Sequence, residues 1–326
     1  MANIDTEFES QYAALTRGAG LVDFTSRTQL ELTGADRASF LHNLCTNSVR
    51  DLAPGSGCEA FVLNVKGHIV GDVFIFASPN SHVVETVPGQ GEKLLAHFDR
   101  YLIREDVGLR DRSQEWAEAL LAGPRAASIL GQLGLTSPIG RLTHVAAQLN
   151  NHPLWLRKVD LTGPEDFLVA CPHDNFAGMR ASLISAGAAA CGEEAFQAAR
   201  IEHGTPLYGT DIGEDNLPQE IGRDQLAISF IKGCYLGQET VARIDALGHV
   251  NRLLRGVRFW CDAVPSAGTP LFSDSSNKPV GQITSSCWSP RLKSPLALAF
   301  LKRGHHEPGM RLNWEFGATE VVQLPL

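Results

Sequence analysis

Leu30-Glu31-Leu32-Thr33-Gly34 runs into Asp36-Arg37-Ala38-Ser39-Phe40-Leu41-His42-Asn43-Leu44, and Ala119-Leu120-Leu121-Ala122-Gly123 runs into Pro124-Arg125-Ala126-Ala127-Ser128-Ile129-Leu130-Gly131-Gln132-Leu133. Each copy reads as an apolar strand, a glycine turn and an amphipathic helix with Ala and Leu on one face. Asp36 and Pro124 suit a helix start. Phe61 to Asn64 and Ile69 to Phe76 read as a hairpin turning near Lys66-Gly67, His82 to Val87 as a strand, and Gly91 to Leu102 as a helix. After the second copy, Leu154 to Leu161 and Phe167 to Cys171 read as strands and Asn175 to Ala186 as a helix. The period, about 85–90 residues, is far longer than a solenoid repeat. Two related α+β halves of ferredoxin-like type are expected, each a small antiparallel sheet with helices on one face.

Glu193 to His203 reads as one more helix, stopped by Gly204-Thr205-Pro206. Tyr208 to Gln225 is rich in Gly, Asp, Asn and Pro and reads as a long functional loop. Beyond Val250 the texture changes to short strand-like runs: Leu253 to Phe259, Thr269 to Phe272, Val280 to Ser285, Leu296 to Leu301 and Arg311 to Trp314. Turns such as Ser289-Pro290 and Glu307-Pro308-Gly309 separate them, so a separate all-β barrel domain is expected over 250–326.

The chain has 326 residues, 44% hydrophobic and 20% charged, with a net charge of −8. An acidic chain argues against direct nucleic-acid binding, although Arg252, Arg255 and Arg258 recur every third residue in a local basic stretch. No apolar run reaches the roughly 20 residues of a membrane span. The N-terminus is polar and acidic, so no signal peptide and a cytoplasmic location are expected. The seven cysteines are scattered with no CxxC, and the histidines show no HExxH, so neither a disulfide framework nor a metal site is expected.

Lys232-Gly233-Cys234-Tyr235-Leu236-Gly237-Gln238-Glu239 places one cysteine among glycines in a polar stretch. Lys232 can favour its thiolate. Cys234 therefore reads as a reactive nucleophile, against the plainer reading of a small residue in a tight turn. Asp72, alone among Ile69, Val70, Val73 and Ile75, reads as a cleft carboxylate or as a strand-edge charge.

The octapeptide with Thr240-Val241-Ala242-Arg243 resembles the signature of the YgfZ family, a branch of the folate-binding superfamily that contains the glycine cleavage T-protein, an aminomethyltransferase. Gly20 to Asp23 with Phe40 to Asn47, Leu63 to Asp72, Arg200 to Asp211, and Val280 to Pro290 resemble that superfamily's other blocks in the same order. The resemblance implies three domains around a folate-binding central cleft. It places residues 1–50 with about 115–248 in an interleaved first α+β domain, and 51–114 in a second.

It also implies tetrahydrofolate, or a one-carbon-substituted folate, as cofactor. The implied role is support of iron–sulfur cluster assembly or repair in client proteins, including tRNA-modifying ones. The alternative is folate-dependent aminomethyl transfer or demethylation. The implied catalytic residues are Cys234, Asp72 and Lys232. Glu202 reads as taking the side-by-side N–H donors of a pterin, or as the exposed end of a helix; Arg243 and Arg252 as binding the glutamate tail, or as solvated charges; Tyr208 and Tyr235 as stacking on the rings, or as packing residues; and Asn64 and Lys66 as lining the site, or as plain turn residues. T-proteins carry two consecutive aspartates where this chain has Gly71-Asp72, so one carboxylate of that pair is missing.

Overall fold

The computed structural model describes residues 6–274 and 276–326. A six-stranded sheet has the order Ala189–Cys191, Gly20–Asp23, Trp116–Ala122, Asp166–Pro172, His152–Val159, His144–Leu149. Only its first pair is parallel. A five-stranded antiparallel sheet has the order Gly57–Leu63, Ile69–Ala77, His82–Thr86, Thr28–Thr33, Gly108–Asp111. The remaining strands close a six-stranded barrel: Arg252–Phe259, Ser294–Lys302, Ser276–Ser289, Pro270–Ser273, Arg311–Trp314 and Gly317–Val322. The expected architecture of two α+β halves plus a β-barrel is thus the observed one.

The repeated strand–glycine–helix unit has a steric cause. Gly34 (φ +93°) and Gly123 (φ +103°) both turn the chain through the left-handed region. A Cβ would stand 2.0 Å from the Asp106 carbonyl oxygen at Gly34, and 2.7 Å from those of Gly18 and Leu15 at Gly123. The helices Arg37–Leu44 and Ala126–Gln132 each start three residues later.

Two expectations need correction. Thr28–Thr33 pairs with His82–Thr86 on one side and Gly108–Asp111 on the other, so residues 28–50 build the second half rather than the first. The second half therefore begins at Thr28, not at residue 51. In addition, the first sheet is covered on both faces. Leu121, Phe167 and Val169 meet Ile129, Leu130, Met179 and Leu183 of the helices Ala126–Gln132 and Phe176–Ser185. On the opposite face, Leu120 and Leu168 meet Tyr12, Leu15 and Phe196 of the helices Thr6–Arg17 and Glu193–His203. Phe74 and Phe76 of the second sheet and Leu254, Leu296 and Leu298 of the barrel join that same core. One apolar cluster thus holds all three units together, and the polar groups described next lie beside it.

Candidate functional site

Successive strand residues point to opposite faces of a sheet, and the strand Ile69–Ala77 divides its chemistry accordingly. Gly71 pairs with Val62, and a Cβ there would stand 2.9 Å from Leu94 Cδ2, inside the apolar core of the second half. Asp72 pairs with Phe61 and faces the other way. A carboxylate at position 71 would be driven into hydrocarbon, so its replacement by glycine removes nothing from the face that Asp72 occupies.

Asp72 opens into a narrow cleft of about 30 Å³ that Glu59, Arg27 and Arg223 share with Leu207 and Tyr208. Its carboxylate has no hydrogen-bond partner among the described residues; only its backbone carbonyl accepts one, from Thr86 Oγ1 at 2.5 Å. Burial first, and then the charge of Glu59, push the Asp72 carboxyl up to about 7, against the pull of Arg223, Arg27 and Arg141. Glu59 goes the other way. Burial alone would raise it, but the guanidiniums of Arg223 and Arg141 outweigh that and hold it below the usual range. Arg223 Nη2 donates to Glu59 Oε2 at 2.8 Å, Arg223 Nε and Arg141 Nη2 make closer contacts to the same carboxylate, and Arg141 Nε reaches Asp160 at 2.8 Å. One carboxylate in the cleft is therefore locked as an anion, while its neighbour exchanges a proton near neutrality.

A second polar layer lies between the two sheets. Arg27 binds Glu85, and Arg157 binds Glu118, all four being buried. Burial and the neighbouring Glu85 raise Glu118 to about 8, against Arg157 and Arg27.

A wider cavity of about 550 Å³ adjoins the cleft: Thr162 and His203 line the wide cavity, and Leu161 and Thr205 the narrow one. Glu202 lies on its wall, at 5% exposure. Its carboxylate accepts from Tyr12 Oη, from Ser289 Oγ and, at 3.4 Å, from the Arg291 backbone N–H. Burial and then Glu202 itself push the Tyr12 phenol above its usual range. Helix, N-terminal segment and barrel thus meet at one carboxylate, which keeps one lone-pair site, on Oε2, for a ligand.

The structure unites Asp72 with Tyr208, whose hydroxyl accepts from Lys93 Nζ at 2.6 Å. It does not bring the other expected residues to this cleft. Asn64 caps its own turn, its Oδ1 accepting from the Lys66 and His68 backbone N–H groups, while Lys66 is exposed. Arg252 pairs with Glu220 at 3.0 Å and donates to the Asp215 carbonyl. Arg243 is exposed on the helix Gln238–Leu247. Tyr235 is buried with Phe61 and Leu63 in the apolar cluster that also holds Tyr208, and lines neither cavity. Cys234 is exposed and lines neither cavity.

Among the described residues no hydrogen bond joins Lys232 to Cys234. Its ammonium donates to the carbonyls of His42, Cys45 (2.7 Å) and Asn47 (2.8 Å), closing the C-terminal end of the helix Arg37–Leu44. Such a cation satisfies orphan helix carbonyls. Lys232→Ala is expected to cost about 1–3 kcal/mol of stability. It should leave the alkylation rate of Cys234 by iodoacetamide within about twofold; a tenfold slower rate would restore the thiolate role.

The sequence matches the GCVT N-terminal domain over residues 2–229 and the glycine cleavage T-protein C-terminal barrel domain over 252–326. The chain belongs to the GCVT family. Two relatives of this GCVT-family protein are the aminomethyltransferase of Herpetosiphon aurantiacus, 28% identical over 93% of this chain and 84% of that protein, and the mitochondrial aminomethyltransferase of Mesembryanthemum crystallinum, 27% identical over 90% and 74%. The solved structure of aminomethyltransferase T of the glycine cleavage system from Bartonella henselae shares the fold at a TM-score of 0.89, with 19% identity over 98% of this chain and 89% of that one. The Cys234 loop and the helix after it fall between the two matched segments.

Several site residues escaped the sequence reading. Glu59 carried a usable signal, since it is a lone carboxylate inside the apolar run Gly57–Leu63, the same pattern that flagged Asp72. Arg223, Arg27, Tyr12 and Ser289 carried none, because their partners lie on elements distant in sequence.

Proposed function

We propose that this GCVT-family protein binds tetrahydrofolate, or a one-carbon-substituted form of it, and carries out folate-dependent transfer of an aminomethyl-type one-carbon unit. The observation that carries the reading is Asp72: an unbonded carboxyl facing a cleft, with its proton affinity raised to about 7. The donor set fits a reduced pterin. Glu202 offers its remaining lone-pair site to a ring N–H group, Tyr208 an aromatic face, and Asp72 an acid–base group at the reacting nitrogen. The wide cavity beside Glu202 supplies volume that the cleft above Asp72 lacks.

Bound tetrahydrofolate supplies the amine that accepts the one-carbon unit. Asp72 takes or returns the proton at that amine, a task for which a group titrating near the working pH is best suited. Arg223 and Arg141 hold Glu59 as an anion, and that fixed negative charge keeps the Asp72 proton affinity high. Glu202 fixes the ring's orientation.

Cys234 favours a second reading, in which folate binding serves the maintenance of iron–sulfur client proteins as in the YgfZ branch. The support is an exposed thiol on a loop outside both matched segments.

Calorimetric titration of tetrahydrofolate into wild type, Glu202→Ala and Cys234→Ala tests the folate site. Wild type and Cys234→Ala should bind alike, and Glu202→Ala at least about tenfold more weakly. Absence of binding to wild type would sink the reading. Tetrahydrofolate-dependent turnover of an aminomethyl donor that survives Cys234→Ala separates the first reading from the second.

A further inference from the structure

On the far side of Arg223 from Asp72 lies a third cavity, of about 760 Å³, between the helix Gln238–Leu247, the segment 219–226 and the barrel strand Arg252–Phe259. It holds two opposite charges that do not neutralise each other. Arg255 is half-buried, and its one guanidinium hydrogen bond among the described residues goes to the Leu254 carbonyl, at 3.0 Å. It packs beneath Gly222, where an added Cβ would stand 3.2 Å from its Nη1. Asp224 Oδ1 is buried with no hydrogen-bond partner. Arg255 feels the charge of Glu307 and then of Asp224, and Asp224 that of Asp245 and then of Arg255, yet no ion pair within 4.0 Å joins the two or takes either elsewhere among the described residues. Two half-buried opposite charges kept for stability alone would gain by closing that gap.

We propose that this cavity binds a small aliphatic amino acid as its zwitterion, Arg255 taking the carboxylate and Asp224 the ammonium group. A zwitterion can make one charge-assisted hydrogen bond to each of two opposite charges that form no direct ion pair. Asp245 adds negative charge at the ammonium end, and Arg303 positive charge at the rim. Leu226, Ile244, Val250 and Leu253 supply an apolar wall for the side chain. Glycine, which offers nothing to that wall, is the weaker ligand. The site is separate from the folate reading, since the only cleft residue it shares is Arg223, whose guanidinium is held on Glu59.

L-Leucine titrated into the intact protein is the test, beside two analogues that each lack one charge: 4-methylpentanoate and 3-methylbutylamine. Leucine should bind with a dissociation constant of about a millimolar or tighter, and each analogue at least about tenfold more weakly. Arg255→Gln and Asp224→Asn should each weaken leucine by about tenfold or more, with far-ultraviolet circular dichroism unchanged, because neither residue anchors an ion pair. No heat at about 10 mM leucine, equal binding of 4-methylpentanoate, or unchanged leucine binding by both variants would each overturn the assignment.

Discussion

Asp72→Asn is expected to lower folate-dependent turnover by about 10²–10⁴-fold, the usual worth of a positioned acid–base group, while making the protein more stable at pH 8. The two effects share one cause. Unfolded, Asp72 ionises near its ordinary 3.8; folded, it ionises only near 7. Between those values the folded chain holds a proton that the unfolded chain has released. Stability from this group is therefore complete below about pH 4 and is lost as pH rises through 7. Asparagine cannot ionise and escapes that loss. The gain at pH 8 should be about 1–2 kcal/mol, allowing for the part of Asp72 that opens to solvent. Thermal unfolding of both proteins at pH 4 and pH 8 checks it: the difference should be present at pH 8 and small at pH 4. A variant no more stable than wild type at pH 8 would mean that the Asp72 carboxylate is stabilised by contacts other than those seen.

Arg200→Ala is expected to destabilise the protein by about 3–5 kcal/mol, the cost of leaving a buried charge without its partner. Arg200 and Asp211 both have side chains at 0% exposure and meet at 2.8 Å. Arg200 also donates to the Thr205 carbonyl at 3.0 Å and to Gln197. Asp211 accepts from the Leu207 backbone N–H and from the hydroxyls of Thr284 and Ser285 on the barrel. One knot thus fastens the helix carrying Glu202, the segment Thr205–Tyr208 over Asp72, and the barrel. Urea unfolding measures the loss. The pair Arg200→Met with Asp211→Leu should recover part of it, because neither charge is then left unpaired. A single-variant loss below about 1 kcal/mol would show that solvent reaches the pair.

Much of this was legible in the sequence, for physical reasons that also mark where legibility stops. The two strand–glycine–helix units could be read because Gly34 and Gly123 answer to purely local sterics. Asp72 stood out because a carboxylate breaks an apolar alternation, and Glu59 broke one just as plainly. The boundary at residue 50 failed because strand pairing is non-local: Leu30 lies opposite Val84 and Asp111. The hydrogen bonds of Lys232 were illegible for the same reason, since its acceptors at His42, Cys45 and Asn47 lie some 185 residues upstream or more. Short strands such as Gly20–Asp23 and Ala189–Cys191 carry too few residues to show a period, and the Gly317–Val322 strand went unread although it closes the barrel. Gly71 looked like a loss when read beside its neighbour, and only the pleat assigns the two positions to opposite faces.

The central claim is that Asp72 carries an exchangeable proton within the folate site. Titrating tetrahydrofolate at pH 7 in two buffers of different ionisation heat tests it most directly. The binding heat should depend on the buffer for wild type and not for Asp72→Asn, because ligand contact shifts the proton held at Asp72. A buffer-independent heat with wild type, or the same dependence in the variant, would contradict it.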